Sequence, residues 1–509
     1  MGVRDLPGYN PTVADGGLGA TDNPPAERLG VAGVSCGAPT AITRLRSVDD
    51  AIDALMRGSG LEQVLAMFAN GSREVVYAEI SAADSTAADA GTPVLTGTGD
   101  ASAAVSGTPY RNRDYIVEVL TAGAVGTATY RISSNNGKDY SEERKFLQTN
   151  VGSPKKSRLY LEAAADGYYV EFTGDTTAAF AVGDVWVWSS RELVPTAAHA
   201  LEAIESLMKY RDEAMRPVGL KGNHIIYLAQ RADAAMQAEI LELVTQYWDD
   251  LAQTWDVLAN APACAGAEGS YDILTWVNAL VTAAETLRMV TIPENDYQPG
   301  RLGLVPIDFL MDTDDGGRHL CPGGGVVAGL IASAQHVHYS IGWPREFKCR
   351  GVHGIYPYND AADMVGDWDD VNGYVTALSN AGHYITARYK PGFGIVLTDD
   401  WMMAPLGSDY FCLRYRRIMD KAVNQVRDAN FLYINSPGTT SEDMLAYQKA
   451  LEEPLRAMKD ADEEITAFRL TLTPADDVAS SGDVNATLDL VPTFTKKRLN
   501  ITFRLKRAV

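Results

Sequence analysis

Residues 31–80 read VAGVSCGAPTAITRLRSVDDAIDALMRGSGLEQVLAMFANGSREVVYAEI, and the order of element types within them decides the fold class. Val31-Ala32-Gly33-Val34 reads as a short strand. Ser47 precedes an amphipathic helix with Val48, Ile52 and Leu55 on one stripe, and Val64, Leu65 and Phe68 mark a second helix. Arg73 to Ile80 is apolar enough for a buried strand. A β-α-α-β order of this kind opens an α/β domain.

On the N-terminal side, Pro7, Pro11, Pro24 and Pro25 alternate with Gly8, Gly16, Gly17 and Gly19, which leaves little room for helix. The first thirty residues are therefore expected to form an extended arm. The stretch MGVRDLPGYNPTV has no apolar region of the kind a secretory signal carries.

On the C-terminal side the grammar changes at about Ser81. Up to Ser190 the chain is rich in Ala, Gly, Thr and Ser, with alternating segments at Tyr115 to Leu120, Thr127 to Ile132, Tyr168 to Phe172 and Val185 to Trp188. Asn135-Asn136-Gly137 is a hairpin signal, because Asn and Gly tolerate the positive φ of a type I′ turn. This segment predicts an all-β sandwich. The α/β pattern then resumes at Pro195-Thr196, so the sandwich is expected to be an insertion. Leu201, Ile204, Leu207 and Met208 share a helix face, and His224 to Leu228 reads as a buried strand. The spacing predicts one long helix over Met236, Ile240, Leu243, Tyr247, Leu251, Trp255 and Leu258.

Further helices are expected at Ile273 to Val290, Val326 to Tyr339, Val371 to Leu378, along the stripe Phe411, Tyr415, Ile418, Ala422 and Val426, and from a cap at Thr440 towards Met458. Strands are expected at Val352 to Ile355, His383 to Tyr389 and Gly394 to Thr398. The end of the chain alternates again at Phe468 to Leu472, at Leu488 and Leu490, and at Leu499, Ile501, Phe503 and Leu505. The expected architecture is thus an arm (1–30), an α/β core in two parts (31–80 and 191–460), an inserted β-sandwich (81–190) and small C-terminal β-strands (461–509).

Composition bounds the function. A chain of 509 residues has room for about three domains. Hydrophobic residues make up 46% and charged residues 22%, an ordinary globular balance. The longest apolar run, Val326 to Ala332, is seven residues and far too short to span a membrane. Acids outnumber bases 66 to 44, a net charge of −22, so direct nucleic-acid binding is not expected. Cys36, Cys264, Cys321, Cys349 and Cys412 are odd in number and form no CxxC, a pattern of reduced thiols.

Several patterns invite a chemical reading. Gly33-Val34-Ser35-Cys36-Gly37 matches the G-x-S-x-G nucleophile elbow, but that turn must run straight into a helix, and Pro39 follows here. His319, Cys321, His336, His338, Cys349 and His353 are metal-ligand types in one region, yet without the tight paired spacing of a zinc site. Cys321-Pro322-Gly323-Gly324-Gly325 could present N–H groups to a phosphate, but Val326-Val327 stand where a P-loop needs Lys-Ser/Thr, and a close-packed turn is expected. Asp312, Asp314, Asp315 and Gly316 lack the spacing of a calcium loop. No catalytic residue, metal or cofactor is expected from these. One charge feature runs against the acidic background: Lys496, Lys497, Arg498, Arg504, Lys506 and Arg507 crowd the last fourteen residues without an acid. Such a strand suits docking onto an acidic surface of another copy.

Taken together, VAGVSCGAPTAITRLRSVDDAIDALMRGSG (31–60), PGGGVVAGLIA (322–332), Gly342-Trp343-Pro344, LSNAGHYITARYKPGFGIV (378–396), the run Asp409 to Lys421 with Arg414, Arg416 and Arg417, and the strands from Thr471-Leu472-Thr473 resemble the contractile tail sheath family of phages, R-type bacteriocins and related injection systems. The resemblance covers 31–80 and 195–509 and leaves out the β insertion. It implies a structural subunit that polymerises helically around an inner tail tube, meets baseplate and tail terminator proteins, and works in a virion tail after assembly in the host bacterial cytoplasm. It also implies that terminal strands complete a neighbour's sheet, with Leu499, Ile501, Phe503 and Leu505, flanked by Lys496, Lys497, Arg498 and Arg504, as the inter-subunit strand. Lys421 and Arg427 are the expected tube contacts. The alternatives are a non-contractile virion or adhesion protein whose β insertion binds a ligand, and a hydrolase or metal enzyme at Ser35 or the His319–His353 cluster.

Overall fold

The computed structural model describes residues 29–493 apart from 138, 163–166, 178, 211–223, 252–254, 263–272, 289–299, 314–316, 335–336, 357–373, 405–407, 409, 434–440 and 475–483. Of the arm expected over 1–30, residues 1–28 lie outside the described residues, as do the cap at Thr440 and the strand Leu499 to Leu505 with its flanking cations, while Leu29 and Gly30 already belong to the first buried strand.

The opening segment folds as β1 (Leu29–Gly33), β2 (Thr43–Leu45), α1 (Val48–Leu55), α2 (Ser59–Ala69) and β3 (Val75–Glu79). Ser47 caps α1, its hydroxyl accepting from the Asp50 N–H at 3.1 Å. Eight strands follow: β4 (Val94–Thr96), β5 (Ser102–Ser106), β6 (Arg113–Thr121), β7 (Thr129–Ser133), β8 (Arg144–Lys145), β9 (Lys156–Tyr160), β10 (Tyr169–Thr173) and β11 (Val185–Ser190). They form two antiparallel sheets, ordered β4-β11-β6-β7-β8 and β5-β10-β9. Both close on one core of Tyr115, Phe146, Phe172, Phe180, Trp186 and Trp188. Alternation along β6, β10 and β11 places Tyr115, Phe172, Trp186 and Trp188 inward, and between the strands Phe146 stacks on Phe180 at 4.3 Å. Asn136 and Gly137 have the positive φ expected of them, 56° and 79°. They begin a longer connection between β7 and β8, however, and do not make a two-residue hairpin.

The chain then returns through α3 (Ala197–Lys209), β12 (His224–Arg231), α4 (Ala234–Leu251), β13 (Trp255–Asn260), α5 (Ile273–Arg288) and β14 (Leu302–Val305). The main sheet is ordered β14-β13-β12-β1-β3-β2, parallel except for the antiparallel edge strand β2. In order of appearance its parallel strands run 2-1-3-4-5, the doubly wound pattern. One apolar core joins α3, α4 and α5 to one face, and a second joins α1 and α2 to the other. Every residue of β1 is buried, as a strand covered on both faces must be.

Here the long-helix expectation fails. The helix ends at Leu251, and Trp255 and Leu258 belong to β13. A strand buried on both faces is apolar almost throughout, so its residues prolong a three-four spacing that they do not obey.

Beyond β14 come β15 (Asp308–Asp312), β16 (Arg318–Pro322), α6 (Gly324–Ser333), β17 (Val352–Tyr356), α7 (Tyr374–Asn380), β18 (Ala387–Lys390) and β19 (Gly394–Leu397). β14, β15 and β16 were not anticipated, since their apolar runs are too short and unalternating to declare themselves. α6 is shorter than expected. The backbone turns extended at Ala334, and Val337 drops into a separate core with the last helices. Tertiary docking of that valine outweighs continued helix. The chain closes with α8 (Leu413–Phe431), α9 (Ser441–Asp460) and the antiparallel pair β20 (Ile465–Pro474) and β21 (Val484–Pro492). Ile418, Ala422, Leu451, Leu455, Met458, Ile465 and Leu470 form their shared core.

Candidate assembly interface

Helix α8 carries the charge pattern LRYRRIMDKAVNQ over 413–425, and the structure buries much of it. Arg301, just ahead of β14, donates to both Asp420 carboxylate oxygens at 2.8 Å and to Asp256 of β13 at 3.0 Å. Burial alone would loosen the Arg301 proton, but Asp420 and Asp256 outweigh it and hold the guanidinium charged. Arg414 pairs with Asp400 and lies 3.2 Å from Asp399, while its N–H donates to Asp400 at 2.9 Å. The Asp400 carboxylate thus sits at the N-terminus of α8, where the helix dipole favours it. Arg416 lies over the Tyr410 ring at 4.2 Å. Burial and the nearby Arg301 charge bring it down to about 10.

Lys421, an expected tube contact, is sealed inside. Its ammonium donates to Asp462 at 2.8 Å and Glu464 at 2.5 Å, and its side chain is 1% exposed. A buried, doubly paired ammonium is in no position to reach a partner, so this expectation is corrected. Arg427, two turns further along α8, is exposed. Sequence reasoning missed the network because charges on an amphipathic helix read as a solvated face. The available signal was the matching excess of acids at Asp399, Asp400, Asp462 and Glu464.

A second ionic cluster joins the strand sandwich to the main sheet. Glu62 of α2 pairs with Arg113 of β6 and lies 3.3 Å from Arg111. Burial would raise the Glu62 pKa, but the two guanidinium groups outweigh that and hold it below the ordinary range. Asn135 donates to the Arg318 carbonyl at 2.6 Å, and Asn112 donates to Glu192 at 2.9 Å. Burial pushes the Glu192 carboxyl up to about 7, against the pull of Ser59 and with a further push from Glu62.

The chemical candidates disperse. Ser35 donates to Glu79 at 2.7 Å, and Tyr77 donates to the same carboxylate at 3.1 Å, so the partner is an acid where a serine hydrolase needs an imidazole. His319 and Cys321 sit at the sandwich junction, with the Cys321 sulfur 3.6 Å from Glu62. His353 instead lies 2.9 Å from Asp312, and His338 packs on Tyr339. His336 lies outside the described residues. The glycine turn is close-packed, as expected. The Gly324 N–H donates to Asn260 and that of Gly325 to Gln63, and a Cβ on Gly324 would stand 2.4 Å from the Tyr227 ring. Among the described residues, Asp399, Asp400 and Cys412 come close enough to share an ion, but Arg414 already engages both carboxylates.

No protein-family model matches the sequence, and no curated protein is similar to it. Solved structures do match. A chain of the sheath complex of an extracellular contractile injection system, PVC, in its contracted state superposes with a TM-score of 0.50 at 9% identity, covering 100% of this chain and 99% of that one. A sheath tail protein of Desulfitobacterium hafniense matches with a TM-score of 0.47 at 12% identity over 97% of this chain and 100% of that one. A chain of the anti-feeding prophage baseplate matches at 0.47 and 11%, over 99% and 100%. At such identities the likeness is one of fold, and the fold this chain shares is that of a chain of the contracted PVC sheath complex.

Proposed function

We propose that this chain is the structural subunit of a contractile sheath, polymerising helically around an inner tail tube and driving that tube through a target envelope when it contracts. The observation that carries this reading is the end-to-end fold likeness to a chain of a contracted sheath complex. The buried ion pairs of α8 support it physically. Among them Arg301, with Asp256 and Asp420, fastens the C-terminal helices to the main sheet, so a subunit can rotate as one body while its neighbours stay attached. The role is mechanical and calls on no cofactor. Its partners are further copies of the chain, the tube protein, and baseplate and terminator proteins, within a virion-type tail assembled in the host bacterial cytoplasm.

Linkage falls to the ends of the chain. Among the described residues β20 and β21 pair only with each other, and a two-stranded ribbon is marginal alone. Strands added by neighbours would complete it by β-augmentation. Leu499, Ile501, Phe503 and Leu505 alternate with polar residues in the sequence, and burying these four side chains in such a sheet is worth about 6–10 kcal/mol before ordering costs. The insertion 81–190 lies on the outer radius, and Arg427 faces the tube.

The test is negative-stain microscopy of the purified protein and of a variant lacking Asn500 to Val509. The full chain is expected to form helical tubes, and the truncated chain to remain a folded, soluble monomer. A full chain that stays monomeric at high concentration overturns the sheath reading. A truncated chain that polymerises normally overturns the terminal link. Arg427→Glu is expected to lower co-assembly with the tube protein without changing stability.

A further inference from the structure

The two segments that join the strand sandwich to the main sheet pair with each other. Thr86 exchanges two backbone hydrogen bonds with Val194, at 2.9 and 3.1 Å, and Asp89 exchanges two with Arg191, at 2.9 and 2.8 Å. Between these rungs stands Glu192. Its N–H donates to the Asn112 side-chain oxygen at 3.0 Å, and its Oε1 accepts from the same amide at 2.9 Å. Its Oε2 is enclosed and reaches no donor at hydrogen-bonding geometry. The Ser59 hydroxyl beside it, on the first residue of α2, is enclosed in the same way.

The charges around this carboxyl do not answer it. Glu62 of α2 faces it with the same sign. Arg111 and Arg113 serve Glu62, and with Arg57 they also act on the buried Glu162. Arg191, the preceding residue, pairs with Asp114 at 2.9 Å. On the β3 side stand Tyr77 and Glu79, joined by a hydrogen bond of 3.1 Å. Glu192 itself forms no ion pair among the described residues. A neutral carboxyl fits this place. A carboxylate sets a second negative charge against Glu62 where Oε2 is shielded from water.

We propose that Glu192 is a proton-operated latch: with its proton it holds the two-stranded stalk, 86–89 with 191–194, against the start of α2, and without it the stalk opens and the sandwich swings on its remaining ties. Those ties are Glu62 with Arg113, and the Asn135 amide on the Arg318 carbonyl. The sandwich moves as one piece because its aromatic core is its own. The latch is a property of the single chain and does not depend on the sheath reading. Burial holds the closed carboxyl up to about 7 against an ordinary value of 4.5, so opening releases a proton and is favoured as pH rises between those values.

The test is amide hydrogen exchange of the dilute full-length chain between pH 5 and 8, corrected for intrinsic exchange. Protection at Thr86, Asp89, Arg191, Glu192 and Val194 is expected to fall about tenfold per pH unit up to pH 7 and then level off, with β1 and β10 unchanged. Glu192→Gln mimics the protonated acid and is expected to keep full protection at every pH. The same pH dependence in Glu192→Gln overturns the latch, and so does an equal loss of protection in β1, which would be global unfolding. Spin labels placed at the exposed Val94 of the sandwich and Val48 of α1 read the swing. Their distance distribution is expected to broaden from pH 5 to 8, and to stay narrow with Glu192→Gln. A distribution that stays narrow while the stalk amides open overturns the swing.

Discussion

At the junction between α2 and the strand sandwich, one carboxylate, Glu62, meets two arginines, Arg111 and Arg113, from a single short segment. At the junction between the main sheet and the C-terminal helices, acids and bases come from both sides. Arg301 and Asp256 face Asp420, and Asp399 and Asp400 face Arg414, while Lys421 pairs with Asp462 and Glu464 within the C-terminal unit itself. Both junctions are buried, so each depends on pairing to offset desolvation. The difference lies in what breaking them leaves behind. The sandwich keeps its own aromatic core, Tyr115 to Trp188, whatever happens to Glu62. The C-terminal helices share their charges with the strands beneath and cannot be released without stranding ions in the sheet. One junction attaches a separable part, and the other makes two parts into one body.

The sharpest way to break this comparison is Asp420→Ala. It removes the bidentate partner of the buried Arg301 and is expected to destabilise the whole molecule by about 3–5 kcal/mol, read as a shift of a single denaturation midpoint. A smaller global effect is expected from Glu62→Ala, about 3 kcal/mol, because Arg111 and Arg113 lose their shared partner. Hydrogen exchange should rise at the start of α2 and around residues 111–113, while the signals of the sandwich rings persist. Equal exchange throughout the molecule would show that the two junctions are not different in kind.

Acidity separates the junction's two carboxylates. Glu62 is held below its ordinary range when folded, so its contribution is present above the unfolded carboxylate pKa and lost as pH falls through the folded value. Glu192 is raised to about 7 by burial, so the native state holds its proton longer than the unfolded chain does. Its effect runs the other way, and stability falls as pH rises from about 4.5 to 7. Glu192→Gln is expected to remove about 1–2 kcal/mol of that decline, measured as denaturation midpoints between pH 5 and 8. An unchanged pH profile would assign the slope to other groups.

The smallest effect is expected from replacing 81–190 with a short Gly/Ser linker together with Glu62→Gln, which removes the charge the lost arginines had balanced. Tube formation is expected to persist, and a folded core that forms no polymers would show that the sandwich belongs to the lattice.

Much of the fold was legible where a cap, a short apolar run or an alternation stands apart from its neighbours. Ser47 announced α1, the apolar β1 and β3 announced a covered sheet, and alternation from Tyr115 to Trp188 announced the strand sandwich. The boundary between α4 and β13 was not legible, because a strand buried on both faces shows no period of its own. Nor was the inner role of Lys421. A lysine between apolar helix positions looks the same whether it faces water or two carboxylates, and those carboxylates, Asp462 and Glu464, come from a later segment.

The sequence by itself determined an acidic chain with an α/β grammar interrupted by strands, and a basic, alternating terminus, since composition and local periodicity are properties of neighbouring residues. Tertiary structure alone decided which charges are paired inside and which apolar residues stay outside. Arg301 meets Asp420 across 119 positions, and of the expected stripe Val48, Ile52 and Leu55 only Leu55 is buried, while Val48 and Ile52 remain exposed. Pairing and burial are set by what lies across a contact, and only folding brings the two sides together.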